Sequence, residues 1–287
     1  MAFHLQMFRS GSSGNCSLLT VGSTRLLIDA GIGPRSLAKE LAVLGLNVRD
    51  LTAAVFTHSH SDHLRANTML ALAREGVPMY MNEGTLQGAR RREGRGDLER
   101  LPAGMVRHFD AERPFELKGL QLTAFQVDHG APGPDNHAGD PVGFVMTDGR
   151  DTFGYCTDIG HVTLNTLMHL KAADLLVFEC NHDIEMARLC ARPWNVKQWI
   201  LGDYGHLNNV QCATALAQLF EGREGVGVVL AHLSEQCNTV GMARETTREA
   251  LAEVCEAVVG VATRHSASQP WVLDGGRARP LELEVPC

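Results

Sequence analysis

Apolar and polar positions along the chain switch between a strand-like and a helix-like period. The opening reads as strand, tight turn, strand: AFHLQMF, the small-residue loop SGSSGN, CSLLTV, the turn GS, and TRLLIDA. PRSLAKELAVLG spaces its leucines for a helix, with Pro34 at a first-turn position and Gly45 where the helix stops. AAVFT is a short buried strand, and LRANTMLALAREG is a helix closed by Gly76. After PMYMN and an arginine-rich stretch, strands return as LQLTAFQV, VGFVMTD and DTFGYCTD, the last two joined by the hairpin turn DGRD. ADLLVFE continues that pattern. The final third alternates a helix (NVQCATALAQLFEG), a strand (VGVVLAHL), a long helix (MARETTREALAEVCEAV) and two strand-like pieces around DGGRAR. Strand-rich blocks with helices interspersed in both halves predict two sheets packed face to face with helices outside. No linker, low-complexity tract or short-period repeat interrupts residues 1–287, so one domain is expected.

Composition narrows the field. With 44% hydrophobic and 21% charged residues over 287 positions, the chain has the makings of an ordinary globular core. The N-terminus lacks a basic region leading into an apolar stretch, and no later run of apolar residues is long enough for a membrane span; a cytoplasmic protein is expected. The 8 cysteines are scattered without a CxxC, which predicts reduced, mostly buried thiols. A net charge of −7 argues against broad, salt-driven adhesion to nucleic acid but leaves room for a local basic patch. GARRREGRGDLER, with Arg90, Arg91, Arg92, Arg95 and Arg100, is either such a patch or a solvated helix end.

AAVFT runs directly into HSHSDH. His58 and His60 are two residues apart at the end of a strand, so an extended backbone points both to one side, where they can grip one metal ion. Asp62 and His63 fall where the chain turns toward the next helix, aimed elsewhere but close by, which predicts a second ion beside the first. Nitrogen and carboxylate-oxygen donors suit zinc, with manganese or iron as competitors. Accidental clustering or helix capping is the alternative, and the tight spacing counts against it. Further ligands must come from distant sequence. His129 ends LTAFQVDH, Asp158 ends DTFGYCTD and His232 ends VGVVLAHL, each at the rim of an expected sheet. Singly each is consistent with an ordinary rim residue. With HSHSDH they form a set: three histidines on one ion, Asp, His and His on the other, and Asp158 able to bridge.

HxHxDH followed by a strand-end His, a strand-end Asp and a late strand-end His resembles the metallo-β-lactamase fold superfamily. SGSSGN, LLIDAG, TDIG, FECNHD, PWNVKQWILGDYGHLNN and AHLSEQCNT extend the similarity to its YycJ-like (WalJ) branch over nearly the whole chain. HxHxDH marks only the superfamily, whereas NHD, GHLNN and HLS in this order are more specific. The resemblance implies an α/β fold, a four-layer αββα sandwich, with metal ligands His58, His60, Asp62, His63, His129, Asp158 and His232. It also implies 5′→3′ exonuclease activity on DNA. Two departures stand out. In that branch the third ligand leads straight into the equivalent of DPVGF, but here GAPGPDNHAG intervenes, which makes His137 a rival. His129 is the expected ligand because it ends the strand. Cys237 stands where the branch usually carries the first of two asparagines, leaving Asn238 alone for any contact with substrate.

Two adjacent divalent ions lower the pKa of a shared water to give hydroxide near neutral pH, and they neutralise an attacked phosphate; phosphodiester hydrolysis by metal-bound hydroxide is therefore expected. Asp62 binds one ion and orients the water. His206 in GHLNN is similar to a histidine that ribonuclease Z-like relatives use near the leaving group, so a general acid or phosphate donor is expected there, with helix capping as the alternative. His182 in NHD is a substrate contact or a partner that orients a ligand. Ser12, Ser13 and Asn15 offer a cradle for a terminal phosphate, or simply a tight turn. The leading expectation is a nuclease on single-stranded DNA or RNA ends, with the arginine-rich stretch as part of the track. A small-molecule hydrolase opening a thioester, lactone or cyclic phosphodiester is the alternative, helped by the acidic charge and opposed by GHLNN with NHD. A non-hydrolytic iron-binding redox or regulatory protein ranks third, because no flavin-binding glycine-rich motif is present.

Overall fold

The computed structural model describes residues 1–93, 96–130 and 137–281. Burial alternates along the first strand, and the SGSSGN turn folds it back on the second. One sheet begins with β1 (Phe3–Arg9), β2 (Cys16–Val21), β3 (Thr24–Ile28), β4 (Ala53–Val55), β5 (Met79–Met81) and β6 (Val106–His108). The second holds β7 (Phe115–Leu117), β8 (Leu120–Gln126), β9 (Val142–Thr147), β10 (Thr152–Cys156), β11 (Leu175–Glu179), β12 (Glu224–Ala231) and β13 (Glu256–Val261). The chain then returns to the first sheet with β14 (Trp271–Asp274) and β15 (Arg277–Pro280). The strand orders are β15-β14-β1-β2-β3-β4-β5-β6 and β13-β12-β11-β10-β9-β8-β7.

Each sheet starts as an antiparallel meander and ends in a parallel half, β3 to β6 in one and β10 to β13 in the other. Parallel neighbours need crossovers, and helices supply them. They are α1 (Pro34–Val43), α2 (Ala66–Arg74), α3 (Glu83–Glu93), α4 (Leu164–Leu170), α5 (Ile184–Leu189), α6 (Trp194–Ile200), α7 (Asn209–Phe220) and α8 (Val240–Ala252). One apolar cluster, with Leu5, Leu26, Phe144, Tyr155 and Val229, fills the space between the sheets. A second lies under α1 to α3 around Leu37, Leu41, Met69 and Leu72, and a third under α4, α7 and α8 around Leu170, Leu216, Phe220 and Leu251. Three cores between four layers make the expected αββα sandwich.

One expected element is wrong. The helix in MARETTREALAEVCEAV stops at Ala252, and Glu256–Val261 is the edge strand β13, with Val259 opposite Val228 of β12. Its valine-rich run pairs its backbone along β12 and packs its branched side chains on a pleated surface, which an extended helix would not offer. Among the described residues no helix is long and apolar enough to cross a membrane.

Candidate metal centre

Residues that end or follow β3, β4, β8, β10, β11 and β12 meet at one rim, at the C-terminal ends of the strands, where open α/β sheets commonly bind ligands. The strand β4 ends at Val55, two residues short of HSHSDH, and the chain turns at residues 61–63, where Asp62 and His63 are expected to leave the strand direction. His58 and His60 converge. His58 Nε2 lies 3.1 Å from His60 Nδ1, and His129 Nε2 lies 3.2 Å from the same atom. Gly31 makes room for this loop, because a Cβ there would sit 1.6 Å from the Asp62 carbonyl oxygen. That oxygen accepts from Asn15 N at 2.6 Å, and Ala30 N donates to the His63 carbonyl at 2.7 Å.

Asp62 and His63 face the other way, toward His232. Asp62 Oδ2 is 3.5 Å from His232 Nε2 and 3.7 Å from His63 Nε2. Asp158 stands between the two groups, 2.9 Å from His63 Nε2, 3.4 Å from His232 Nδ1 and 3.6 Å from His129 Nε2. His58, His60 and His129 form one set of donor atoms within 4.8 Å of each other; Asp62, His63 and His232 form another. Asp158 joins His58 and His63 in a third set, and Glu179, His206 and His232 in a fourth. Backbone strain gathers here too: Asp29, Asp158 and His232 have φ of 58°, 59° and 57°, a region that costs a non-glycine residue about 1–3 kcal/mol.

The two groups differ electrostatically. Burial pushes His58 well below the ordinary imidazole range, His60 to about 4 and His129 to about 3. These rings are neutral at pH 7, with lone pairs available. Around Asp158 the balance reverses. Burial works against charged His63 and His232, but the carboxylates of Asp158, Asp29 and Asp62 hold His63 well above its usual range. Asp158, Asp62 and Glu179 likewise lift His232 to about 10. Burial also opposes ionised Asp158 and Glu179, yet the facing imidazoles win, holding Asp158 well below the carboxylate range and Glu179 at about 2. The protonated histidines thus take the place of a cation among these carboxylates. Within this cluster the buried His232 Nε2 and Asp158 Oδ2 are left without a hydrogen-bond partner. An orphaned imidazole nitrogen among clustered nitrogen and oxygen donors fits a divalent metal ion.

Glu179 is absent from the residues expected from sequence. It ends the fully buried β11, accepts from Ile159 N at 3.0 Å and Leu207 N at 3.1 Å, and lies 2.8 Å from His206 Nδ1 and 2.9 Å from His232 Nδ1. The signal was there: a charged residue closes ADLLVFE just as His129, Asp158 and His232 close their own apolar runs. Asp29, at the end of LLIDAG, is similar. It accepts from Thr57 N at 2.9 Å and sits 2.7 Å from His63 Nδ1.

A cavity of about 160 Å³ opens over the cluster, lined by His60, Asp62, His129, Asp158, His206 and His232, with Ser12 at its wall. The remaining expected residues lie elsewhere. Ser13 is exposed, its carbonyl accepting from Arg65 at 3.3 Å. Asn15 closes the SGSSGN turn, accepting from Gly11 N at 2.8 Å, and its Nδ2 is 2.8 Å from His63 Nε2. His182 is buried with neither ring nitrogen hydrogen-bonded and does not line the cavity. Asn238 is buried against Asn209, at 3.0 and 2.8 Å, and donates to the Cys180 carbonyl at 3.0 Å, a structural task rather than a cavity contact. His137 is exposed and outside every donor set among the described residues, whereas His129 is inside one. Arg90, Arg91 and Arg92 end α3 away from the cavity lining, with Arg92 donating to the Leu64 carbonyl at 2.7 Å. Arg100 pairs with Asp97, and Arg95 lies outside the described residues.

Comparison with known proteins identifies the family and the fold. Residues 24–232 match the family model described as the beta-lactamase superfamily domain. The chain is 29% identical over 253 residues to exodeoxyribonuclease YycJ of Bacillus anthracis, covering 88% of this chain and 90% of that protein. It is 30% identical over 253 residues, with the same coverage, to exodeoxyribonuclease WalJ of Streptococcus pneumoniae. Among solved structures, the metallo-beta-lactamase fold protein YhfI from Bacillus subtilis superposes with a TM-score of 0.67 at 17% identity, covering 95% of this chain and 100% of that one. Unliganded yeast PDE1 superposes with a TM-score of 0.70 at 12% identity, covering 93% and 99%. At these identities the structural likeness speaks for the fold alone.

Proposed function

We propose that this chain, which belongs to the beta-lactamase superfamily domain family, is a dinuclear-metal phosphodiesterase removing nucleotides from the 5′ end of single-stranded DNA or RNA. The observation that carries this reading is Asp158, set between an all-histidine group and a carboxylate-rich one. His58, His60 and His129 would hold one ion and Asp62, His63 and His232 the other, with Asp158 shared between them. The donor set favours zinc, with manganese and iron as competitors. Bound there, such ions acidify water and neutralise phosphate charge.

The chain's own side chains supply the rest. Asp62 keeps a carboxylate oxygen at the cavity wall to orient the attacking water. His206 turns Nδ1 to Glu179 at 2.8 Å, which fixes the ring and assigns Nε2 to give a proton to the leaving oxygen. Ser12 and Ser234 line the same cavity and offer hydroxyls to phosphate oxygens. The 160 Å³ cavity is smaller than the roughly 300–1,000 Å³ of a typical small-molecule pocket. A strand end whose bulk stays outside fits it better than an enclosed thioester or lactone.

The test offers metal-loaded protein a 5′-phosphorylated single strand, a thioester and a cyclic phosphodiester, with Asp62→Ala as control. Mononucleotide release from the strand, lost in the variant, is the expected result. Turnover of a small ester with no cleavage of the strand would replace this reading with the small-molecule one.

A further inference from the structure

Between β11 and β12 the short helix α6 and the turn after it leave large rings in solvent: Trp194 is 65% exposed and Trp199 38% on the helix, and Tyr204 41% on the turn. Of these, Trp199 lines the catalytic cavity. Its ring centroid is 5.8 Å from that of His129 and 5.1 Å from that of His206, edge to face with the latter. An indole packed on two site histidines, yet more than a third open to water, is a surface awaiting an apolar, planar partner.

Its position is built in. A Cβ on Gly205 would lie 2.0 Å from the Trp199 carbonyl oxygen, so only glycine lets the chain turn back so tightly after α6. The Gly205 carbonyl in turn sits 2.9 Å from His129 Nδ1, and the Tyr204 carbonyl accepts from Gly130 N at 2.9 Å. Trp199 is therefore tied to the strand end that carries His129. Arg192 lines the same cavity, its Nε donating to Gln236 at 3.0 Å, and it is the only Lys or Arg among the described cavity residues.

We propose that Trp199 is a stacking platform for an unpaired nucleobase beside the scissile phosphate, with Arg192 as counter-charge to the strand's phosphates. The inference rests on the phosphodiesterase reading and narrows its substrate to strands with free bases. Inside a duplex a base is stacked on both neighbours and paired, so it must leave that stack before it can lie on the indole; in an unpaired strand the base beside the phosphate is free to do so. Stacking on a single ring is tolerant of sequence because every base has a π-face, which suits an enzyme that moves along a strand.

The experiment measures affinity by fluorescence anisotropy of a 3′-labelled, 5′-phosphorylated strand in the presence of chelator, so that nothing is cleaved. Oligothymidylate is compared with an abasic strand of equal length. Wild-type protein binds the thymidine strand roughly 5- to 100-fold more tightly, Trp199→Ala loses that preference, and Trp199→Phe keeps most of it. Equal affinity for both strands in the wild type, or a full preference retained by Trp199→Ala, overturns the proposal. Metal-loaded wild type that prefers the thymidine strand but cleaves neither strand supports the platform while removing the nuclease reading, so the two failures are told apart.

Discussion

The two halves of the metal centre answer the same problem, many ligands in a small volume, in opposite ways. His58, His60 and His129 are driven neutral by burial, and their nitrogens crowd at 3.1 and 3.2 Å. His63 and His232 are held protonated by Asp158, Asp29, Asp62 and Glu179. The first half is ready to receive a cation and gains little by waiting without one. The second is already neutralised by its own protons, which a metal must displace. The contrast teaches that a cluster of metal-ligand side chains can be electrostatically asymmetric before any ion arrives, and that Asp158, which touches both halves, is where the asymmetry meets.

The largest expected effect follows from that position. Asp158→Ala should lower strand cleavage by more than about 100-fold and reduce metal content in both halves, since partners that merely orient ligands already cost 10–100-fold when removed. Metal analysis beside a cleavage assay checks it; loss confined to one ion would mean that Asp158 serves only one half. Glu179→Gln comes next. It keeps the shape but removes the charge that orients His206 and His232, so activity should fall about 10–100-fold while the all-histidine half still binds metal.

A smaller effect separates the halves without mutation. In metal-free protein His232, raised to about 10, contributes stability that is fully present below the unfolded imidazole value of about 6.5 and is lost as pH climbs through 10. His60 and His129, lowered to about 4 and about 3, act in the opposite sense. Below pH ~6.5 the unfolded chain takes up protons that these buried rings refuse, so stability falls as pH drops. Urea midpoints in chelator should therefore peak near pH ~6.5 and decline on both sides. A midpoint that keeps rising to pH 9 would show that His232 is not held protonated.

Much of this centre was legible in the sequence because its information is local. HSHSDH packs four ligand-type side chains into six residues, and His129, Asp158 and His232 each end an apolar run, so strand direction alone carries them to one rim. Glu179 obeys the same rule at the end of ADLLVFE, but a glutamate at a strand end carries no ligand signal of its own; only its two histidine partners reveal its task. Asn238 shows the reverse, its amide bonding Asn209 and the Cys180 carbonyl within the protein. The helices α4, α5 and α6 span 7, 6 and 7 residues, too short for an apolar stripe to repeat, and were not legible. For β13 the difficulty was that a helical pattern ran past its end, and only the neighbouring β12 decides the matter.

The most direct test of the central claim is a calorimetric titration of zinc into metal-free protein at pH 7, run in two buffers of different ionisation enthalpy so that proton release is counted. Two ions per chain are expected, one entering with almost no proton release and the other expelling protons from His63 and His232. A single ion per chain, or two that enter with identical proton release, would contradict it.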